Sequence, residues 1–539
     1  MEKILLKVYT LDWNNPESDS LHLAYSYDGK DWFELNGNNG VLFVSTGSKR
    51  MVLPKVVKDT AGFSVLAKDP ENEDNYYSVF TSDFIDYDDI ECVDKSRATD
   101  YDAASDVVEI GSDLLKKLQE KFGKPEPVNV LKVEDVKIKA KKGASVPLPE
   151  EVSVTFSNGY VSREKVVWEG YENESYITAE NKVIKGHVGF RHYKNPLIYH
   201  RADPFITKSD NGDYYFVASH TDMEHNLVGE YQYRYILLRT ARTIAGLADG
   251  SGEYTERTVY TRDPLPGNCS PHIWAPEIHN INGKWYIYFT TVTDENNCWS
   301  IRPHVLECDG DPMKDEWKFL GPIKKTVDDG LAFTDFSLDH TILKHNGEVY
   351  LFWAEKHPVL SDIYAARMEN PWTIDSSRVT KVVAPEYNWE LHGFPVCEGP
   401  SFLKRNGKIF MTYSASGTDS LYCMGMITAD ENSDILDAKS WTKSKFPVFQ
   451  SSDITGQYGP GHNSFTVDED GNDVLVYHAR QEKHYLNDPG YQPLYDAGRN
   501  ASVMRFFWNP DGTPNFGIPT ESGEDTTYLY EVTLTVETI

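Results

Sequence analysis

Strand signals dominate the alternation of apolar and polar positions along the chain. Leu21-His22-Leu23-Ala24-Tyr25-Ser26 and Trp32-Phe33-Glu34-Leu35 flank Tyr27-Asp28-Gly29-Lys30-Asp31, which predicts a β-hairpin around an Asp-Gly turn. Between residues 130 and 190 the two-residue period returns in Val136, Ile138 and Ala140, then in Val152, Val154 and Phe156. An Asn158-Gly159 turn and the stretch Val166 to Trp168 follow, a pattern that predicts a small Ig-like β-sandwich. One segment has the helical period instead. From Ser112 to Phe122 an apolar stripe of Leu114, Leu115, Leu118 and Phe122 opens at Ser112 as a cap and stops at Gly123-Lys124-Pro125. It is expected to link two modules.

Beyond residue 200 the pattern repeats. Turns beginning at Asn211, Asn282, Asn346, Asn406 and Gly471 each lead into an aromatic, β-branched strand, at spacings of 71, 64, 60 and 65 residues. Such a spacing without helices between fits blades of four short strands, and five blades close a ring. The expected architecture is all-β: an N-terminal β-rich module over 1–125, an Ig-like β-sandwich over 126–194, and a five-bladed β-propeller over 195–539. The first two match no catalytic motif, so packing or spacing is their expected role.

Composition narrows the function. The formal net charge of −30 argues against a phosphate-binding surface and so against nucleic acid as a partner. No apolar run is long enough to cross a membrane, and Met1 to Thr10 lacks the apolar stretch of a secretory leader, so a cytoplasmic protein is expected. Cys92, Cys269, Cys298, Cys308, Cys397 and Cys423 are scattered and read as buried thiols. The aromatic share is high, with 33 Tyr, 24 Phe and 12 Trp, as in all-β cores and in sugar-binding clefts.

Counting back about eight positions from each repeat's turn gives Asp203, Trp274, Asp339, Glu398 and His462, which a propeller would aim at one axis. Carboxyls crowded in a partly apolar funnel repel one another and lose solvation, which separates their pKa values. Glycoside hydrolysis needs that separation: one carboxylic acid protonates the leaving oxygen while a carboxylate activates water or attacks the anomeric carbon.

The set His200-Arg201-Ala202-Asp203-Pro204, Trp274-Ala275-Pro276-Glu277, Ser337-Leu338-Asp339, Glu398-Gly399-Pro400 and Gly461-His462-Asn463 resembles glycoside hydrolase family 43 over roughly residues 195–520. The resemblance implies a five-bladed propeller and inverting hydrolysis, with Asp203 as general base, Asp339 tuning and orienting the donor, and Glu398 as general acid. It also implies a calcium ion near His462, bound mostly through water, and Arg480 facing sugar and acids. Trp274 would line the sugar pocket, with Phe336 and Phe394 as further walls. The expected activity is exo-acting release of L-arabinofuranose from arabinan or arabinoxylan oligosaccharides. β-D-Xylosidase and endo-arabinanase are its rivals within the family, and a retaining fructosidase or a sugar-binding propeller without chemistry stand further off.

Overall fold

The computed structural model describes residues 3–11, 19–222, 232–267, 269–357 and 359–539; Met1 and Glu2, at the head of the stretch examined for a leader, lie outside them. The described residues are all-β apart from one α-helix and short 3-10 turns. At the N-terminus, Ile4–Tyr9 pairs with His22–Ser26 and Val107–Ile110, and a second antiparallel sheet runs through Val52–Lys58, Phe63–Lys68, Asn75–Thr81 and Glu91–Asp94. The hairpin forms as expected, with Ala24 opposite Glu34 and Gly29 at φ +74° in its turn. The helix Ser112–Phe122 is present too, but its role differs. Leu115, Leu118 and Phe122 are buried with Leu6, Val8, Leu23 and Val65, so it belongs to this module's core and is no free linker. Gly111 occupies the N-cap and no side chain caps the helix, whereas Ser112 already lies inside it.

In the next module Glu151–Phe156 lies between Val130–Val133 and Val161–Lys165. Its facing sheet is completed from the far end of the chain. Thr526–Thr538 pairs antiparallel with Lys182–His192 and parallel with Val136–Ala140, burying Val532, Leu534 and Val536 beside Phe156 and Trp168.

Between them, residues 201–505 make five successive sheets, antiparallel except for a short parallel pairing of Lys324–Lys325 with Thr373–Ile374 in the third. Their first strands are Arg201–Lys208, Trp274–Ile281, Ser337–His345, Cys397–Arg405 and Tyr458–Val467. Each hairpin leads into an aromatic second strand, and Asn282-Gly283, Asn346-Gly347 and Asn406-Gly407 all have positive φ, which Asn and Gly tolerate best. Every first strand packs against that of the next sheet, and the fifth packs against the first. Among the described residues no single sheet closes on itself.

Each first strand slips register near its start. The slips fall between Ala202 and Phe205, Trp274 and Glu277, Leu338 and Thr341, Glu398 and Ser401, and Gly461 and Ser464. A left-handed residue sits in each: Asp203, Ala275, Asp339, Gly399 and His462, with φ between +41° and +54°. These bulges turn five strand ends toward one another.

The cysteines depart from the expectation. Cys269 and Cys298, with Cα atoms 6.0 Å apart, form a disulfide, a separation that suits a bridge. Cys308, Cys397 and Cys423 are buried thiols, and Cys92 is half-buried.

Candidate active site

A bulge frees backbone N–H groups, and here the second strands take them up. Ser219 Oγ accepts from the N–H of Ala275 at 2.7 Å, Ser414 Oγ from that of His462 at 2.7 Å, and His478 Nδ1 from that of Asp203 at 3.1 Å. Each acceptor lies one sheet before the bulge it serves, so the sheets are fixed to one another where the polar side chains gather. The bulges also correct the sequence alignment. Trp274 and Glu398 stand one residue ahead of the left-handed position, which Ala275 and Gly399 occupy. A side chain at Gly399 would meet the His462 ring, with its Cβ 3.2 Å from Cγ.

Asp203, Asp339 and Glu398 all line one cavity of about 630 Å³, together with Trp274, Phe336, Phe394 and His462. Trp299, Tyr422 and Arg499 line it as well, and the sequence did not point to them. Arg480 is elsewhere. It is buried, paired with Asp496, and donates to the carbonyls of Thr418 and Asp419, while Arg499 is the cation that faces the acids.

Ser219 Oγ donates to Asp203 Oδ2 at 2.5 Å, and the Arg499 guanidinium stands 3.5 Å from Oδ1. Burial alone would push this carboxyl up. The His462 ring, Arg499 and the His478 contact outweigh it and hold Asp203 well below the usual carboxylate range. Burial also drives both imidazoles toward neutrality, His478 down to about 3. Arg499 is therefore the lasting positive charge on Asp203 at neutral pH. Glu398 goes the other way, up to about 7, through burial first and then the charge of Asp203; Tyr422 and Arg499 oppose the rise. Asp339 is pushed well above its ordinary value by burial and by its carboxylate neighbours Glu398, Asp203 and Glu277.

The Tyr422 hydroxyl donates to Glu398 Oε1 at 2.8 Å, which leaves Oε2 to carry the acid's proton. Tyr422 also stacks on His478, ring centroids 5.6 Å apart. Thus the residue that holds Glu398 packs against the residue that receives the Asp203 amide.

Two buried carboxylates shape the walls. Glu355 accepts from the amides of Phe333, Thr334 and Asp335 at 2.7–3.1 Å and so fixes the loop that presents Asp335 and Phe336. Glu390 accepts from the amides of Glu386 and Tyr387 and from Tyr413 and Lys443, ahead of the segment carrying Phe394. Trp299 stacks on His272 at 5.0 Å, next in sequence to the bridged Cys298.

The expected calcium finds no direct set of ligands. Among the described residues no three His, Cys, Asp or Glu side chains are grouped to hold a metal. His462 Nδ1 faces Asp203 at 3.4 Å and Asp339 at 3.6 Å, two of the three acids that line the cavity. Calcium near His462 was expected to take most of its ligands from water, since a hard cation prefers oxygen to imidazole, so a direct cluster is not what that site requires.

Comparison with known proteins assigns the class. The family model of glycosyl hydrolases family 43 matches residues 193–514, and the chain belongs to that family. A bacterial Ig-like domain model (group 4) matches residues 133–189. The chain is 45% identical over 336 residues to an extracellular exo-α-(1→5)-L-arabinofuranosidase of Streptomyces avermitilis, covering 61% of this chain and 64% of that one. It is 44% identical to an enzyme of the same name from Streptomyces chartreusis, covering 55% and 85%. A solved α-L-arabinofuranosidase from Lactobacillus brevis matches 61% of this chain and 98% of its own, at 43% identity and a TM-score of 0.54. The chain thus spans about two thirds of the Streptomyces avermitilis relative's length. The cytoplasmic expectation does not stand, because both Streptomyces relatives are named extracellular.

Proposed function

We propose that the protein is an exo-acting α-L-arabinofuranosidase that hydrolyses α-(1→5)-linked arabinan chains with inversion and works outside the cell. The observation that carries this is the gathering of Asp203, Asp339 and Glu398 in one cavity, where Asp203 is held well below the usual carboxylate range and Glu398 is pushed up to about 7. Asp203 takes a proton from water as the water oxygen attacks the anomeric carbon. The glycosidic C–O bond breaks, and Glu398 passes its Oε2 proton to the leaving oxygen. Asp339, kept protonated, adds no negative charge against the departing proton and can hold a sugar hydroxyl. Trp274, Phe336 and Phe394 supply apolar faces for the sugar ring, and Trp274 Nε1 has no partner among the described residues.

The catalytic residues are proposed to sit on a five-bladed propeller over roughly 195–520. Five sheets, five matched bulges and the return of the fifth first strand to the first support that architecture. The substrate and the place of action rest on the names of the relatives and, for the latter, on the disulfide as well.

Release of 4-nitrophenol from the α-L-arabinofuranoside and the β-D-xylopyranoside, measured side by side, tests the specificity. Preference for the arabinoside, with arabinose as the only early product from linear arabinan, is expected. Preference for the xyloside would replace the substrate, and early release of longer oligosaccharides would replace exo action. Asp203→Asn should lose turnover on every substrate, since no leaving group relieves the need for a base; substantial activity in that variant would place the base elsewhere.

A further inference from the structure

A second cleft of about 1020 Å³ lies between the N-terminal module and the fourth and fifth sheets, and none of its lining residues lines the catalytic cavity. Tyr25, Trp32 and Phe33 line the module side. Phe33 is 49% exposed, stacks on Tyr25 at 5.2 Å, and meets the equally exposed Tyr27 edge-on. Asn36, Asn38, Asn39 and Gln119 add amides beside these rings, and Gln450, Ser451 and Tyr485 face them from the propeller side. The charge across the cleft is largely neutralised, since Lys483 pairs with Asp453 at 2.7 Å.

We propose that this cleft binds a neutral polysaccharide chain, separately from catalysis. Half-exposed rings bordered by amides and hydroxyls match a sugar, whose ring has an apolar face and a rim of hydroxyls that each need a hydrogen-bond partner. The amides are partly engaged within the protein, Asn36 Nδ2 donating to the Gly40 carbonyl and Gln119 Nε2 to the Tyr25 hydroxyl, and the net charge of −30 disfavours a polyanion. Position supports the same occupant. Ser416 and Thr418 line the catalytic cavity while Ser420 lines the cleft, so one short segment walls both. Arg480 holds that segment through the carbonyls of Thr418 and Asp419, and Ser420 Oγ accepts from the amide of His484 at 2.8 Å. A chain bound in the cleft keeps its polymer's ends close to the catalytic cavity. The proposal rests on the arabinan reading only for the choice of polymer.

The test uses the full chain carrying Glu398→Gln, so that no polymer is consumed, in native gels containing linear arabinan or, separately, arabinoxylan. Retardation by at least one polymer is expected. Adding Trp32→Ala and Phe33→Ala should weaken it about tenfold, while in the otherwise wild-type chain the same pair leaves turnover of the aryl arabinofuranoside and the thermal midpoint unchanged. Retardation that depends on the two rings stands as support even if the enzyme cleaves no arabinoside, which separates this proposal from the proposed activity. Absence of retardation, or equal retardation with and without the rings, overturns it. So would a concentration-dependent dimer abolished by Phe33→Ala, which would assign the cleft to a second copy of the chain.

Discussion

Glu398 and Asp203 share a cavity yet are shifted in opposite directions, Glu398 up to about 7 and Asp203 well below the usual carboxylate range, and the cause lies in burial and in their immediate partners. Because the Glu398 carboxyl is raised, the active form is protonated below its pKa, and kcat/KM should fall as pH rises through about 7. Glu398→Gln should lower turnover of natural oligosaccharides about 10²–10⁴-fold, spare an aryl arabinoside with a good leaving group, and remove that falling limb. A limb that survives the substitution would assign it to another group. Tyr422 donates to Oε1 and so favours the charged form. Tyr422→Phe should therefore raise the Glu398 pKa further and move the limb to higher pH; a shift to lower pH would contradict the hydrogen bond's role. The three acids could be picked out in the sequence because each sits seven or eight residues ahead of a turn. Arg499 was not: it faces Asp203 from the loop beyond the fifth sheet's second strand, with no repeat to place it. Arg480 looked equivalent because strand alternation alone does not show which of two buried arginines reaches the cavity.

The five sheets were anticipated from their turns, three of which are Asn-Gly pairs with positive φ at both residues, a geometry that suits a tight hairpin. The bulges were invisible, because a left-handed aspartate or histidine leaves no mark in the apolar period; Trp274 and Glu398 were consequently aligned one residue off. The pocket walls depend on buried carboxylates rather than on apolar contacts alone. Glu355 is completely buried and accepts from three consecutive amides and from Trp353 Nε1, so it ties the loop of Asp335 and Phe336 to the third sheet. An amide in its place offers one acceptor oxygen and turns an NH2 group toward donors. Glu355→Gln should raise KM for arabinosides about tenfold with kcat changed less than about threefold, as expected when a wall shifts and the acids stay in place. Steady-state kinetics would show this, and a fall confined to kcat would mean that the loop instead positions the reacting groups.

At the scale of the whole molecule the modules are joined by more than the chain that links them. Phe43 is buried among Tyr387, Trp389 and Trp441 of the five-sheet region, and the amide of Asn388 donates to the Val44 carbonyl. The C-terminal strand goes the other way, leaving the five-sheet region to lie between Lys182–His192 and Val136–Ala140. The two-residue period of 130–190 marked the strands within that stretch but not this one, because a pairing across some 350 residues has no local signature. Removing residues 524–539 takes Val532, Leu534 and Val536 out of the sandwich core and leaves two strands with open edges. Fully burying three such side chains is worth roughly 5–9 kcal/mol, comparable to the whole stability of a small domain. The shortened chain should lose folded structure in 126–194, seen as rapid proteolysis there and as binding of a hydrophobic dye. Residues 201–505 keep their own cores and all three acids, so turnover of the aryl arabinofuranoside should persist at low temperature. Loss of turnover together with a proteolysis pattern unchanged within the sandwich would invert the argument, making the C-terminal strand a support of the catalytic cavity rather than of the module it completes.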